Sequence, residues 1–522
     1  MKNTSALKVL GVTALLAIAA SSALAQGGGT LRIAYAAIQQ LDPYKTASND
    51  EIHAFSQVFD PLFILSREDF SPVPHAATSW ENPDDLTWVF HLREGVYFQD
   101  GNDVFAEGEA REVTAEDWVY SINRFINEST AFAMGDIESV EALDRYTLQI
   151  TTPEPDPFLM DGNRLARVVA IPHEAIEVLG EDGFAQRPFG SGPFKLTDFR
   201  PNQSLRFERN EDYWLPVQLD AVEFVFIPDP TVQTIALEAD EIDVIPYLLN
   251  IDEADWLMEN PDVELHGRGG SWRGLGFNLS TAPFDEFEVR DAISMAMDID
   301  SAVAAVVEPF GFRAYGQVPD WTGFALDPEL ESYWTYDPEA AAAQLESVGF
   351  AKNANGIYER DGVPLSFSVK VVAGSPVRVL TILVTQLQAF GINAELLLQD
   401  TAVWADDLVA GNNTGLFFDF SYAGVTGLWS LFHSSNIGMS NTHFYSNPEV
   451  DAIFDEASYT VDFEARQELW HQAQRLIMAD RAAIPLYFEN GFSVVSSSVV
   501  DWVGPWAGLN LVTLENSTYK ED

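Results

Sequence analysis

The sequence predicts an α/β fold, on three observations. Strand-like and helix-like segments alternate along the whole chain, which favours mixed layers over a β-sandwich or a helical bundle. Of the 522 residues, 47% are hydrophobic and 12% aromatic, enough apolar surface for a large core and more than one domain. After residue 25 no segment reaches about 18 uninterrupted apolar residues, so no membrane-spanning helix is expected.

Taken in order, the first segment reads as an address. Lys2 and Lys8 flank the start, the apolar run 9–20 follows, and 21–25 (SSALA) ends in a small-x-small cleavage pattern before Gln26. These are the parts of a cleavable secretory signal peptide over 1–25. Strands are expected at 30–35, where TLRIAY alternates, and at 86–93, 221–228, 365–372 and 416–422. A helix is expected from Thr114, with Glu116 and Asp117 in its first turn and Trp118, Ile122 and Phe125 on one face. Asp337-Pro338 opens another, striped by Ala341, Leu345 and Val348 and closed by Gly349. Ser375-Pro376 and Asn447-Pro448 repeat the cap-then-proline device, the latter with Val450, Ile453, Phe454 and Ala457 on the buried side. The polar stretch 102–112 reads as a loop insertion.

The charge narrows the partners. With 80 Asp and Glu against 28 Lys and Arg, the formal charge is −52, and a phosphate backbone would be repelled. No nucleic-acid partner is expected. Lysine is scarce, 7 against 21 arginines, and with so many carboxylates this suggests a saline habitat. There is no cysteine, which removes disulfides, thiolate metal sites, cysteine nucleophiles and lipid attachment through cysteine. An exported soluble monomer in the periplasm, not a lipoprotein, is the expectation.

Catalytic signatures are missing. His173-Glu174 is followed by Glu177 and not by the second histidine of a zinc protease helix. Gly190-Ser191-Gly192 lacks the third glycine of a dinucleotide turn and runs into Pro193, which removes a phosphate-binding amide. No Walker loop and no nucleophile elbow occur. The eight histidines are scattered, so no metal ligand, cofactor or catalytic residue is assigned. Thirteen Trp and sixteen Tyr supply flat surfaces with polar handles that suit peptides and sugars alike, although Trp80, Trp88, Trp118 and Trp470 fall in core patterns.

Several blocks of residues then carry a resemblance. They are LDP at 41–43, VFDPL at 58–62, TWVFHLR at 87–93 with VYFQDG at 96–101, TAED at 114–117 with SINR at 121–124, GSGPFK at 190–195, RNEDYW at 209–214, FN at 277–278 with PF at 283–284 and VRDAI at 289–293, and YSNPEVD at 445–451. In number and order they resemble the family 5 extracellular solute-binding proteins of ABC importers, the group of dipeptide-, oligopeptide- and nickel-binding proteins, from Leu31 to about Val503. In that family the residue at Asp60 is usually Glu, and the glycine-rich turn is structural.

The resemblance implies a type II periplasmic-binding-protein-like fold, two α/β lobes joined by hinge strands, with an extra N-terminal subdomain. Carried onto this chain, 26–52 with 188–268 and 489–522 would form the first lobe, 53–187 the extra subdomain and 269–488 the second lobe. It implies a binding protein and no enzyme, one that captures a peptide or peptide-like ligand between the lobes and delivers it to a membrane permease. An oligosaccharide is the alternative ligand, followed by a nickel chelate; a secreted hydrolase is the alternative activity. By the same resemblance Trp404 faces ligand side chains, Trp272 and Arg273 precede a site strand, and Tyr35, Tyr422 and Phe488 line the cleft. Arg273 would hold a ligand carboxylate or, equally, pair with an acid on a neighbouring strand. The loop that carries an amine-binding acid in peptide binders reads YAGVTGLW at 422–429, without an acid, and Trp429 would supply an aromatic wall there.

Overall fold

The structure is a computed structural model that describes residues 28–45, 49–66, 71–128, 136–160, 164–247, 257, 259–268, 272–307, 310–318, 327–372, 377–421, 425–502 and 519–520. The segment 1–25 lies outside these residues.

Three sheets organise the chain. A seven-stranded sheet runs in the order Val263–Arg268, Gly491–Ser496, Val244–Ile245, Thr30–Tyr35, Ala221–Phe226, Ser204–Arg209, Phe194–Arg200. A six-stranded sheet runs Gly311–Arg313, Ala483–Glu489, Trp272–Phe277, Leu416–Ser421, Ser366–Val372, Asn393–Gln399. A four-stranded antiparallel sheet, Ala77–Asp84, Thr87–Leu92, Thr147–Thr151, Ser139–Asp144, forms the extra subdomain with the helix Ala115–Glu128. The chain passes between the two large sheets twice. Val263–Arg268 of the first is followed after 269–271 by Trp272–Phe277 of the second, and Ala483–Glu489 of the second returns through Asn490 to Gly491–Ser496 of the first. Arg268 is paired with Gly491 and Trp272 with Phe488, so the chain leaves and returns side by side, an arrangement that lets two lobes rotate without unfolding either.

Helices form where caps and stripes dictate. Asp337 caps Pro338–Ser347 by accepting from the amides of Glu339 and Ala340, and Asn447 caps Pro448–Tyr459 through the Glu449 amide. On Ala115–Glu128 the Asp117 carboxylate reaches back to the Thr114 amide at 2.9 Å, and Trp118, Ile122 and Phe125 are buried. Gly349, at φ 90°, ends its helix where a side chain would be strained.

The recurring sequence blocks turn out to be joints. Gly192 donates its amide to the Val58 carbonyl at 2.7 Å, and a Cβ on it would lie 2.5 Å from the Val58 carbonyl carbon, so the close pass requires glycine. Gln99 donates to the carbonyls of Gly192 and Phe194, and Asn210 donates to the Gly192 carbonyl. Beside them the buried Asp60 carboxylate accepts from Tyr213 Oη at 2.7 Å and Trp214 Nε1 at 3.3 Å and pairs with His75 Nε2 at 2.9 Å. The blocks at 58–62, 96–101, 190–195 and 209–214 thus meet in one knot between the subdomain and the first lobe. Asp42 and Arg124 from two further blocks form a buried two-pronged ion pair at 2.6 and 3.0 Å. In the second lobe Arg290 donates to the carbonyls of Phe284 and Asp480, while Tyr445 and Asn447 donate to the Asp480 carboxylate. The terminal nitrogens of Arg124 and the carboxylates of Asp60 and Asp480 are thus held by polar or charged partners, as burial demands.

Candidate ligand-binding cleft

In α/β sheets ligands collect at the carboxyl ends of parallel strands, where the chain turns away and side chains and helix starts are left facing a crevice. In the first lobe Thr30–Tyr35 is parallel to Ala221–Phe226 and to Val244–Ile245, so Tyr35, Phe226 and Ile245 end at one edge. In the second lobe Ser366–Val372 is parallel to Asn393–Gln399 and to Leu416–Ser421, and the helices Val377–Phe390, Thr401–Val409 and Val425–Phe432 begin just past that edge. Both edges adjoin the crossings: Ile245 is paired with Val494, near the start of Gly491–Ser496, and Trp272 is paired with Ser421 and Phe488.

At the first-lobe edge lies a cluster of hydroxyl and imidazole groups. Tyr35 Oη is 3.1 Å from His53 Nδ1, and Tyr247 Oη is 3.1 Å from His53 Nε2 with its ring stacked on the imidazole at 5.6 Å. His53 is fully buried, and that burial, with the Arg167 guanidinium nearby, lowers it to about 3. The ring is therefore neutral, and with one nitrogen protonated it donates to one tyrosine and accepts from the other. Burial likewise pushes both tyrosine hydroxyls up and lowers Arg167 to about 10. The Asp50 carboxyl is raised, chiefly by burial. This is a neutral polar floor with a cation and an acid at its border.

At the second-lobe edge Trp429 is half-buried on Val425–Phe432, its ring 5.4 Å from His433. His433 Nδ1 accepts from the amide and hydroxyl of Ser435, which leaves its Nε2 hydrogen for Asp455 at 3.3 Å. Trp404 is 9% exposed and packs with Val372, Leu408 and Phe417 under the same edge. The first turns of all three helices contain no acid.

The remaining residues expected at the site are placed as follows. Trp272 and Phe488 are opposite each other in register and 0% and 1% exposed, inside a packed cluster with Ala314, Val425 and Leu428. Arg273 forms an ion pair with Glu489 across the two crossing strands. Tyr35 is 2% exposed. Tyr422 lies outside the described residues. The structure thus brings Tyr35 together with two groups sequence reading did not single out, His53 and Tyr247, while Trp272, Arg273 and Phe488 gather at the crossings. A signal for Tyr247 did exist: it follows a short apolar strand, VI at 244–245, with one proline between, while Tyr35 ends its own strand. Among the described residues no group of three or more His, Asp and Glu could hold a metal ion, and no helix is long and apolar enough to cross a membrane.

Comparison with known proteins gives this arrangement a context. The profile of the bacterial extracellular solute-binding proteins, family 5 Middle, matches residues 71–438. Heme-binding protein A of Haemophilus influenzae is 27% identical over 474 residues, covering 86% of this chain and 84% of its own. Di/tripeptide-binding protein 1 of Pseudomonas aeruginosa is 26% identical over 90% of both chains. Among solved structures, that of HbpA2 from Haemophilus parasuis superposes with a TM-score of 0.79 at 22% identity, over 94% of this chain and all of the other.

Proposed function

Because the chain belongs to the bacterial extracellular solute-binding proteins of family 5, the solute receptors of ABC importers, we propose that its own ligand is a peptide or peptide-like molecule held between the lobes. The observation that carries this is the pair of strand edges adjoining two short crossings, which lets contacts from both lobes form together only on closure; ligand then shifts the equilibrium by its differential affinity. Relatives named for di/tripeptide and oligopeptide binding support the ligand class.

Tyr35, Tyr247 and His53 are the first-lobe contacts in this reading. Trp429 and Trp404 form the second-lobe wall, and Trp272, Phe488 and Arg273 shape it from the crossings. An oligosaccharide is the weaker reading, because Trp88, Trp118, Trp470 and Trp502 are buried in packed cores, and at the proposed wall Trp429 is half-buried and Trp404 9% exposed, which leaves little open ring for a sugar to stack on. In this reading the protein acts as a periplasmic binding protein, exported through residues 1–25, that works as a monomer with the ligand and the permease as its partners, and its formal charge of −52 disfavours nucleic acid.

A thermal-shift series tests the reading. Tripeptides to pentapeptides, their N-acetylated forms, heme, nickel–histidine and maltooligosaccharides are compared, a ligand at about 100 Kd stabilising by about 2.7 kcal/mol. Peptide shifts support it; shifts from heme, nickel–histidine or sugar alone refute it. Mass spectrometry of the incubated peptide separates binding from hydrolysis.

A further inference from the structure

Among the described residues, a braced segment of the extra subdomain reaches the second lobe. The strand Thr147–Thr151 runs into residues 152–160, whose two ends are fixed in the subdomain. Thr152 donates its amide to the Leu86 carbonyl at 2.9 Å, and Leu159 and Met160 are buried in the core shared by subdomain and first lobe. Between them Asp156 accepts from the Phe158 amide at 3.1 Å and from both terminal nitrogens of Arg164, at 2.7 and 2.5 Å. A segment so held cannot swing freely.

Its side chains nevertheless leave their own core. The Phe158 ring lies edge-on to Trp470 of the second-lobe helix Phe463–Ala479, with centroids 6.4 Å apart, and the Arg466 guanidinium is 5.7 Å from the ring centre. Glu154 interacts with the hydroxyl of Tyr459, on the neighbouring helix Pro448–Tyr459. Trp470 is 1% exposed and belongs to the packed cluster that also contains Trp272 and Phe488 at the crossings. The helix pair and the crossing strands thus share one packed core, so a rotation of the second lobe as a body would carry Trp470 past Phe158.

We propose that the Glu154–Phe158 segment is a bearing between the extra subdomain and the second lobe, which holds the lobes in the arrangement of this structure and so sets the open–closed balance without touching ligand. A contact made in one arrangement and broken in another weights the first by its own free energy. An aromatic pair of this kind is worth a few-fold to about tenfold in a population ratio.

The full chain lacks cysteine, so spin labels at Glu238→Cys on the first lobe and Asp406→Cys on the second report the inter-lobe distance by pulsed EPR. In Phe158→Ala the ratio of the population at the wild-type distance to the remainder falls several-fold without any ligand. Phe158→Leu, which keeps apolar bulk, gives an intermediate change. Tyr459→Phe, at a half-exposed position where folding is not at stake, shifts the distribution in the same direction as Phe158→Ala but less. An unchanged distance distribution in Phe158→Ala and Tyr459→Phe, whether or not the melting temperature drops, overturns the proposal.

Discussion

The Arg273 guanidinium and the Glu489 carboxylate form an ion pair that ties together the two strands by which the chain passes between its lobes. Glu489 is one residue from the return crossing at Asn490, and Arg273 is the second residue after the outward one. Tyr487, adjacent on the same sheet, has its hydroxyl pushed up by burial first and then by Glu489. The pair is part-exposed, at 19% and 32% of its side chains, so its contribution is the modest one of screened pairs.

Arg273→Gln and Glu489→Gln are therefore expected to act alike. Each lowers stability by less than about 1 kcal/mol, and the double variant loses no more than either single one. Both change peptide affinity by the same small factor. A tenfold loss confined to Arg273→Gln, and to peptides with a free carboxylate, would instead make Arg273 the ligand's anchor. Isothermal titration with amidated and free-acid peptides decides this.

Arg124→Met tests the buried joint with Asp42. Removing one partner leaves a buried charge without its counter-ion, at a cost of about 3–5 kcal/mol by urea denaturation. The double change Arg124→Met with Asp42→Leu costs clearly less than the single one, because the stranded charge is gone. Equal losses in the two would contradict the assignment.

Gly192→Ala tests the knot. A methyl group 2.5 Å from the backbone at Val58 cannot be absorbed by a flexible side chain, so the expected loss is about 1–3 kcal/mol or more. Gly356→Ala, at a glycine whose Cβ would meet open space but whose φ is 79°, separates crowding from backbone conformation and costs less.

His53 makes stability depend on pH. Its folded value is depressed to about 3, against about 6.5 unfolded, so the unfolded chain takes up a proton first as the pH falls. The stability it contributes is complete above about pH 6.5 and is lost toward pH 3, at up to about 1.4 kcal/mol per pH unit. His53→Asn flattens the slope of stability against pH by about one proton between pH 6 and 4. Proton uptake on unfolding at pH 5, measured by calorimetry in buffers of different ionisation enthalpy, checks the number directly.

Much of the fold was legible in the sequence. The expected strand at 30–35 is Thr30–Tyr35, the one at 365–372 is Ser366–Val372, and the faces of Trp118 and of Val450 are buried, because caps and apolar spacing act locally. The sequence blocks were legible as a resemblance, but the reason for them was not: Asp60, Gln99 and Asn210 are far apart in the chain and become one knot only in space. The cleft was harder. Trp272 is a core residue or a site residue depending on how 314–318 and Val425–Phe432 pack over it, and no periodicity reports that. His53 and Tyr247 are 194 residues apart, and their hydrogen bond has no trace in local pattern.

The most direct test of the account is isothermal titration of the mature chain with a defined alanine-based tripeptide in free and N-acetylated forms. Saturable one-to-one binding of both, within about tenfold of each other, with the peptide recovered intact and affinity lost in Tyr247→Ala, is the predicted result. No binding of either peptide, alongside saturable binding of heme, nickel–histidine or an oligosaccharide, would contradict it.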